Sequence, residues 1–225
     1  IEFFSSDASG GAGISASIET VYAGSGGGGE LTFNTNATSG GTLTERMRID
    51  QTGATTITTE GNEDTLVLKC TDADANAGPK LQFNRNSASP ADDDFLGEIR
   101  FDGRNDAGQA VEYAKIAAKL QDASDGTEDI RLSLKSIVAG TERERVTIQP
   151  TEVVINEDSQ DLDFRVEGDS NTTALFVQGS DNRVGIGVGD PDAALDVSKG
   201  DNALGILRLT QRLTGAAAYG LDIGL

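Results

Sequence analysis

The sequence predicts an all-β, serial chain whose interior is completed by further copies of itself. Three observations carry this expectation. First, the chain echoes itself out of phase with its own ends. Residues 1–10 (IEFFSSDASG) return as residues 99–108 (IRFDGRNDAG), 31–33 (LTF) as 132–134 (LSL), and 44–49 (TERMRI) as 141–148 (TERERVTI). The offset is 98 residues between Ile1 and Ile99 and 99 between Ile49 and Ile148. A second echo pairs residues 65–69 (TLVLK) and 80–85 (KLQFNR) with 194–199 (ALDVSK) and 207–212 (LRLTQR). Self-similarity at a fixed spacing marks units that lean on their neighbours. The phase predicts a slice of a longer, rod-like protein, beginning inside one unit and stopping near the start of a third. Second, apolar residues alternate with polar ones at the period of a strand. Third, bulky apolar groups are scarce: aromatics are 5%, Trp is absent and hydrophobic residues total 36%. Aromatic side chains dominate core energetics, so a single copy is short of core material. The patterning is nevertheless too strong for disorder.

The elements follow in order. The alternating runs lie at residues 99–101, 130–134, 146–148, 162–166 and 184–188, and a strand is also expected at 80–83. Turns rich in Gly, Asp, Asn and Ser separate them at 102–108, 122–126, 167–171 and 179–182. Residues 110–120 (AVEYAKIAAKL) have the alanine content of a helix. Their counterpart, residues 12–22, is β-branched, and Ala16, Ile18 and Thr20 match Ala114, Ile116 and Ala118 in phase. Both are therefore expected as strands, with a lone helix at 110–120 as the fallback.

The spacing between echoes locates an insert. The link after the first copy runs from Gln51 to Glu63, whereas the link after the second runs from Gln149 to Asp192. The extra residues hold short strand-like runs at 151–156, 161–167, 174–177 and 183–188. A thin sheet of this kind is not stable alone. Three identical strands, one from each chain, could wrap a shared axis and bury Val, Ile, Leu and Phe. The expected organisation is the C-terminal part of a first β node unit at 1–59 and a second node unit at 60–149. A β shaft segment follows at 150–192, and the start of a third unit at 193–225. The residues expected to line the trimer core are Val154, Phe164, Val166, Phe176, Val184 and Ile186.

Charge excludes some partners. The net charge is −19. Phosphate backbones need Lys and Arg, so nucleic-acid binding is not expected. Docking on anionic membranes is disfavoured for the same reason, and no stretch approaches the length of a bilayer-spanning helix. An acidic surface keeps an exposed particle dispersed. The single cysteine, Cys70, allows no intrachain disulfide and is expected as a small buried filler beside Leu66, Val67 and Leu68. With no histidine in the chain, Ser/His and Cys/His nucleophile pairs are excluded.

Residues 161–191 (DLDFRVEGDSNTTALFVQGSDNRVGIGVGDP) resemble a stretch that recurs in tail-fibre and related virion structural proteins of marine bacteriophages, cyanophages among them. The family phrase ends in a VGIGT-x-x-P pattern, and here Val188 stands where Thr is usual. Residues 84–101, 122–129 and 44–53 resemble node units of the same family. The resemblance covers most of residues 1–192. It implies an elongated, intertwined homotrimeric fibre, with node units joined by a triple-stranded β-helix-like shaft. It also implies a virion location, extracellular during host attachment, neighbouring tail or baseplate proteins, and a host surface glycan or protein as the target. A head or decoration fibre, a bacterial adhesin and a polysaccharide-cutting tailspike are the competing readings.

Three motifs could carry chemistry. Residues 184–189 (VGIGVG) have the glycines of a phosphate loop but lead into Asp190–Pro191 instead of a helix, so they read as close backbone approach. Residues 72–76 (DADAN) begin like a calcium loop, but the sixth position is Ala77 and the twelfth Phe83. The acidic groups at 92–94 and 122–129 could gather Ca²⁺ by threefold clustering. Such a site would separate melting curves in calcium and in chelator. Otherwise no cofactor is expected. Carboxylate pairs suited to glycoside cleavage arise by chance among 37 Asp and Glu, and no Trp platform accompanies them. No catalytic role is therefore expected.

Overall fold

The computed structural model describes residues 1–5, 13–23, 28–37, 41–76 and 78–198. Residues 207–212, the far end of the second echo, and most of the expected third unit lie outside them. The protein is all-β, with no helix among the described residues. Two compact units divide the chain, Ile1–Gln82 and Phe83–Leu225.

The first unit holds one five-stranded antiparallel sheet in sequence order: β1 (Glu2–Ser5), β2 (Gly13–Ala23), β3 (Gly28–Thr35), β4 (Thr44–Ile49) and β5 (Thr55–Ile57). The second unit opens with a sheet of the same kind: β6 (Phe95–Arg104), β7 (Ala110–Asp122), β8 (Asp129–Val138), β9 (Thr141–Ile148) and β10 (Val153–Ile155). The segment with helical alanine content is thus strand β7, an interior strand between β6 and β8. Cross-strand pairing on both sides overrides its local propensity.

The two meanders repeat down to their register. Ile18 pairs with Phe33, Phe33 with Met47, and Met47 with Ile57. In the second sheet Ile116 pairs with Leu134, Leu134 with Val146, and Val146 with Ile155. The irregularities recur too. A bulge at Phe3/Phe4 returns at Phe101/Asp102, and one at Phe33/Asn34 returns at Leu134/Lys135. Bulges bend a strand locally, so the same curvature is built twice.

Strand β10, read from the sequence as part of the shaft insert, returns antiparallel onto β9 across the turn at Pro150, where Gln149 N donates to Glu152 O at 2.9 Å. Its counterpart is β5, and residues 55–57 (TTI) and 153–155 (VVI) are too short to echo visibly. The insert proper forms a four-stranded sheet: β11 (Phe164–Val166), β12 (Leu175–Gln178), β13 (Arg183–Ile186) and β14 (Leu195–Val197). The last pair is parallel. Strand β13 stops at Ile186 because Gly187 has φ +77°. A Cβ at Gly187 would collide with the Ser198 carbonyl oxygen, and one at Gly185 with that of Val188. The alternating glycines therefore serve a close approach of the chain to itself.

The expected strand at 80–83 does not form. No strand lies between β5 and β6 among the described residues, because no neighbouring strand offers that stretch a ladder. Strands β8 and β9 are joined by Ala139 (φ 47°) and Gly140 (φ 79°), a turn with both central residues left-handed. An L-residue with a Cβ is strained there, and Asn tolerates the position better. Ala139→Asn is expected to raise the unfolding free energy by up to about 1 kcal/mol, read as a later denaturant midpoint. An earlier midpoint would contradict the turn assignment.

Candidate interaction surface

Residues directly opposite in a ladder share a face of the sheet. In the second sheet one face carries Ile99, Ile116, Leu134, Val146 and Ile155 in one row, and Ala118, Leu132, Ile148 and Val153 in the next. This face is apolar, yet much of it is open to solvent. Ile99, Leu132, Leu134, Ile148, Val153 and Ile155 are all exposed. A depression of about 270 Å³ lies on it, lined by Phe83, Ile99, Ile116, Ala118 and Leu132. Phe83 lies over Gly97, where a Cβ would sit 2.9 Å from the Phe83 Cβ. The first sheet repeats the pattern. Ile18, Phe33, Met47 and Ile57 share a row, and Phe3 and Ile57 are exposed.

The opposite faces are polar, and they hold the buried residues. Ser17 and Thr32 are buried in the first sheet, and Ala117, Ser133 and Thr147 in the second. Long charged side chains cover these small ones. Arg131 pairs with Glu144 and Glu157, and Lys135 with Glu142 (3.2 Å) and Glu144 (3.0 Å). Lys115 reaches Glu142 at 2.7 Å and Glu112 at 3.2 Å. Glu144 also accepts from Ser133 Oγ at 3.3 Å and Thr147 Oγ1 at 3.2 Å. Burial pushes the Glu144 carboxyl up. Hydrogen bonds from Lys135 and Arg131, with their charges, outweigh that and lower it to about 2. The hydrogen bond with Glu142 raises Lys115, and the same bond lowers Glu142. In the first sheet the signs are rearranged: Arg48 holds both Glu30 and Glu45. A cavity of about 260 Å³ between Phe95, Lys119, Arg131 and Lys135 opens on the second polar face. Its one carboxylate, Glu144, is clamped by two cations and is held ionised, the wrong state for a general acid near neutral pH.

Of the residues expected to line a trimer core, Phe164, Val166, Val184 and Ile186 share one face of the four-stranded sheet, with Leu175, Val177, Leu195 and Val197. Phe164, Val166 and Ile186 are exposed within the chain. Phe176 points to the other face, opposite Arg165 and Gly185, and is only 8% exposed. Val154 pairs with Thr147 and so lies on the polar face of the second sheet. The apolar rows of the two meanders were not singled out from the sequence. Their signal was present in the alternation of residues 130–134 read together with its first-copy echo.

Cys70 corrects its expectation: it is exposed. Its Sγ lies beside Gly78 and accepts from Asp72 N at 3.4 Å. The apolar residues beside it in sequence, Leu66 to Leu68, are themselves uncovered within the chain.

The acidic motifs act as turn caps. Asp74 accepts from Asn76 N at 2.8 Å and Asn76 Nδ2 at 2.7 Å, and these bonds lower its carboxyl. Asp92 accepts from Ala123 N at 2.9 Å, Asp93 pairs with Lys119 at 2.6 Å, and Asp122 caps Ser124 and Thr127. Among the described residues no group of three or more acidic, Cys or His side chains is placed to hold a metal ion. No described helix is long and apolar enough to cross a membrane. No family model matches the chain, and no curated protein or solved structure is significantly similar to it.

Proposed function

We propose that the chain is a structural segment of a bacteriophage tail fibre that assembles as a homotrimer. Its work is mechanical: reach, stiffness and the positioning of a receptor-binding tip for adsorption to the bacterial host. It would act in the virion, joined to other tail or baseplate proteins, without catalysing a reaction. The observation that carries this reading is the placement of apolar surface. Among the described residues only Ala117 and Phe176 are buried hydrophobic groups, while two sheets built in the same register turn apolar rows outward. Surface of that kind marks an interaction site, and copies of the same chain supply a matching one. The polar faces, laced with ion pairs, then meet solvent, as the charge of −19 fits.

Two experiments test it. Gold-labelled antibody against this segment should decorate the tail of intact particles. Label on the head would favour a head or decoration fibre instead, and label on the bacterial surface an adhesin. In the four-stranded sheet, Ile186→Asp should weaken trimer assembly about tenfold or more, read as the concentration of half-dissociation in sedimentation. An unchanged assembly constant would remove Ile186 from the shared core.

A further inference from the structure

Residues 65–69 (TLVLK) have the composition of a strand but no ladder. Among the described residues none of their backbone N–H or carbonyl groups meets a backbone partner. Leu66, Val67 and Leu68 are all exposed, at 62%, 65% and 44%. None of the three side chains is covered within the chain. Three consecutive bulky apolar residues left in water are what apolar burial opposes most directly.

The echo of this segment is not left open. Leu195–Val197 forms β14, lying parallel against β13, with Val184 N donating to Ala194 O at 2.9 Å and Ser198 N to Ile186 O at 2.8 Å. The difference lies in what precedes each copy. A whole insert, strands β11 to β13, comes before residues 194–198. Only seven residues, 58–64, separate β5 from Thr65, and they hold no strand. One sequence phrase therefore takes a parallel neighbour where the chain provides one, and stands bare where it does not.

We propose that residues 65–69 pair, in parallel and in register, with the same residues of a second copy of this chain. The inference rests on the self-association proposed above. Around one rotation axis, segments that run along the axis point in the same direction and place equal residue numbers at equal height. For segments along that axis the symmetry allows identical residues to pair only in parallel, and parallel is the pairing mode that β14 uses. The apolar triplet becomes covered by its own equivalents, and its backbone gains the ladder it lacks.

Cys70 follows the segment directly and reports on it. Neighbouring strands lie about 4.8 Å apart, and a disulfide spans Cα separations of about 4.4–6.8 Å. The 225-residue chain at its native assembly mass is treated with copper–phenanthroline, which takes two electrons from a pair of thiols as their protons leave. A Cys70–Cys70 dimer should appear on a non-reducing denaturing gel, and Cys70→Ser should abolish it. Val67→Asp, neutral in a lone chain at so exposed a site, should raise the concentration of half-dissociation about tenfold or more. The proposal requires both results. A trimer that forms no Cys70 dimer, or that tolerates Val67→Asp, overturns the pairing and leaves the trimeric fibre standing. A monomeric mass before oxidation overturns both.

Discussion

Leu134→Asp is expected to convert the assembled protein to separate chains at micromolar concentration. Leu134 stands mid-row on the apolar face of the second sheet, between Ile116 and Val146, and is 44% exposed within its own chain. In an isolated chain a carboxylate at so open a position is tolerated. In an assembly that covers the face, each copy loses about 2 kcal/mol of apolar burial. Each also buries an unpaired charge, a penalty of several kcal/mol. Three copies multiply the effect. Arg100→Gln supplies the contrast. Arg100 lies on the polar face, half exposed and paired with Glu112 and Asp102. Removing such a surface pair changes stability by about 1 kcal/mol or less. Sedimentation of both variants decides the matter: the polar-face variant should assemble normally and the apolar-face variant should not. Equal behaviour would mean that the two faces are not distinguished by burial.

Glu144→Gln should destabilise the protein by about 2 kcal/mol at neutral pH, allowing for solvent screening of a partly exposed cluster. The amide keeps the shape but removes the charge that balances Arg131 and Lys135. The pH dependence has a definite sign. The Glu144 carboxyl falls from its ordinary value of 4.5 to about 2 in the folded protein. A depressed carboxyl stabilises the fold fully above its unfolded value, and that contribution fades as pH falls through the folded one. Stability lost by the parent chain between about pH 4.5 and 2 should therefore be missing from the variant's profile. Denaturant midpoints at pH 7, 4 and 2.5 measure it: the gap between the two proteins should narrow steadily. Parallel profiles would mean that Glu144 is not charged against its neighbours as the ion pairs require.

Much of the fold was legible because side-chain alternation and repetition are properties of the sequence itself. The offset that matches Ile18 with Ile116 also gave the strand identity of residues 110–120, where alanine propensity argued the other way. What escaped was pairing. Nothing in residues 153–155 announces that they turn back onto β9, since three residues carry too little pattern to echo. The strand expected at 80–83 had the right composition, but a strand needs a neighbour, and none is supplied among the described residues. The face of Val154 depended on the same unknown register, because a shift of one residue moves every side chain to the other side. Cys70 was misplaced for a related reason: apolar neighbours in sequence imply burial only where something covers them. The alternation of residues 130–134 and its first-copy echo hint at an apolar face, but which residues of the other strands share it follows only from the ladders.

The mass of the purified chain in solution, followed by sedimentation equilibrium from micromolar concentration downward, tests the central claim most directly. The account predicts a species of three times 23.4 kDa that melts only with loss of that mass. A compact species of 23.4 kDa that unfolds in a single cooperative step would contradict it.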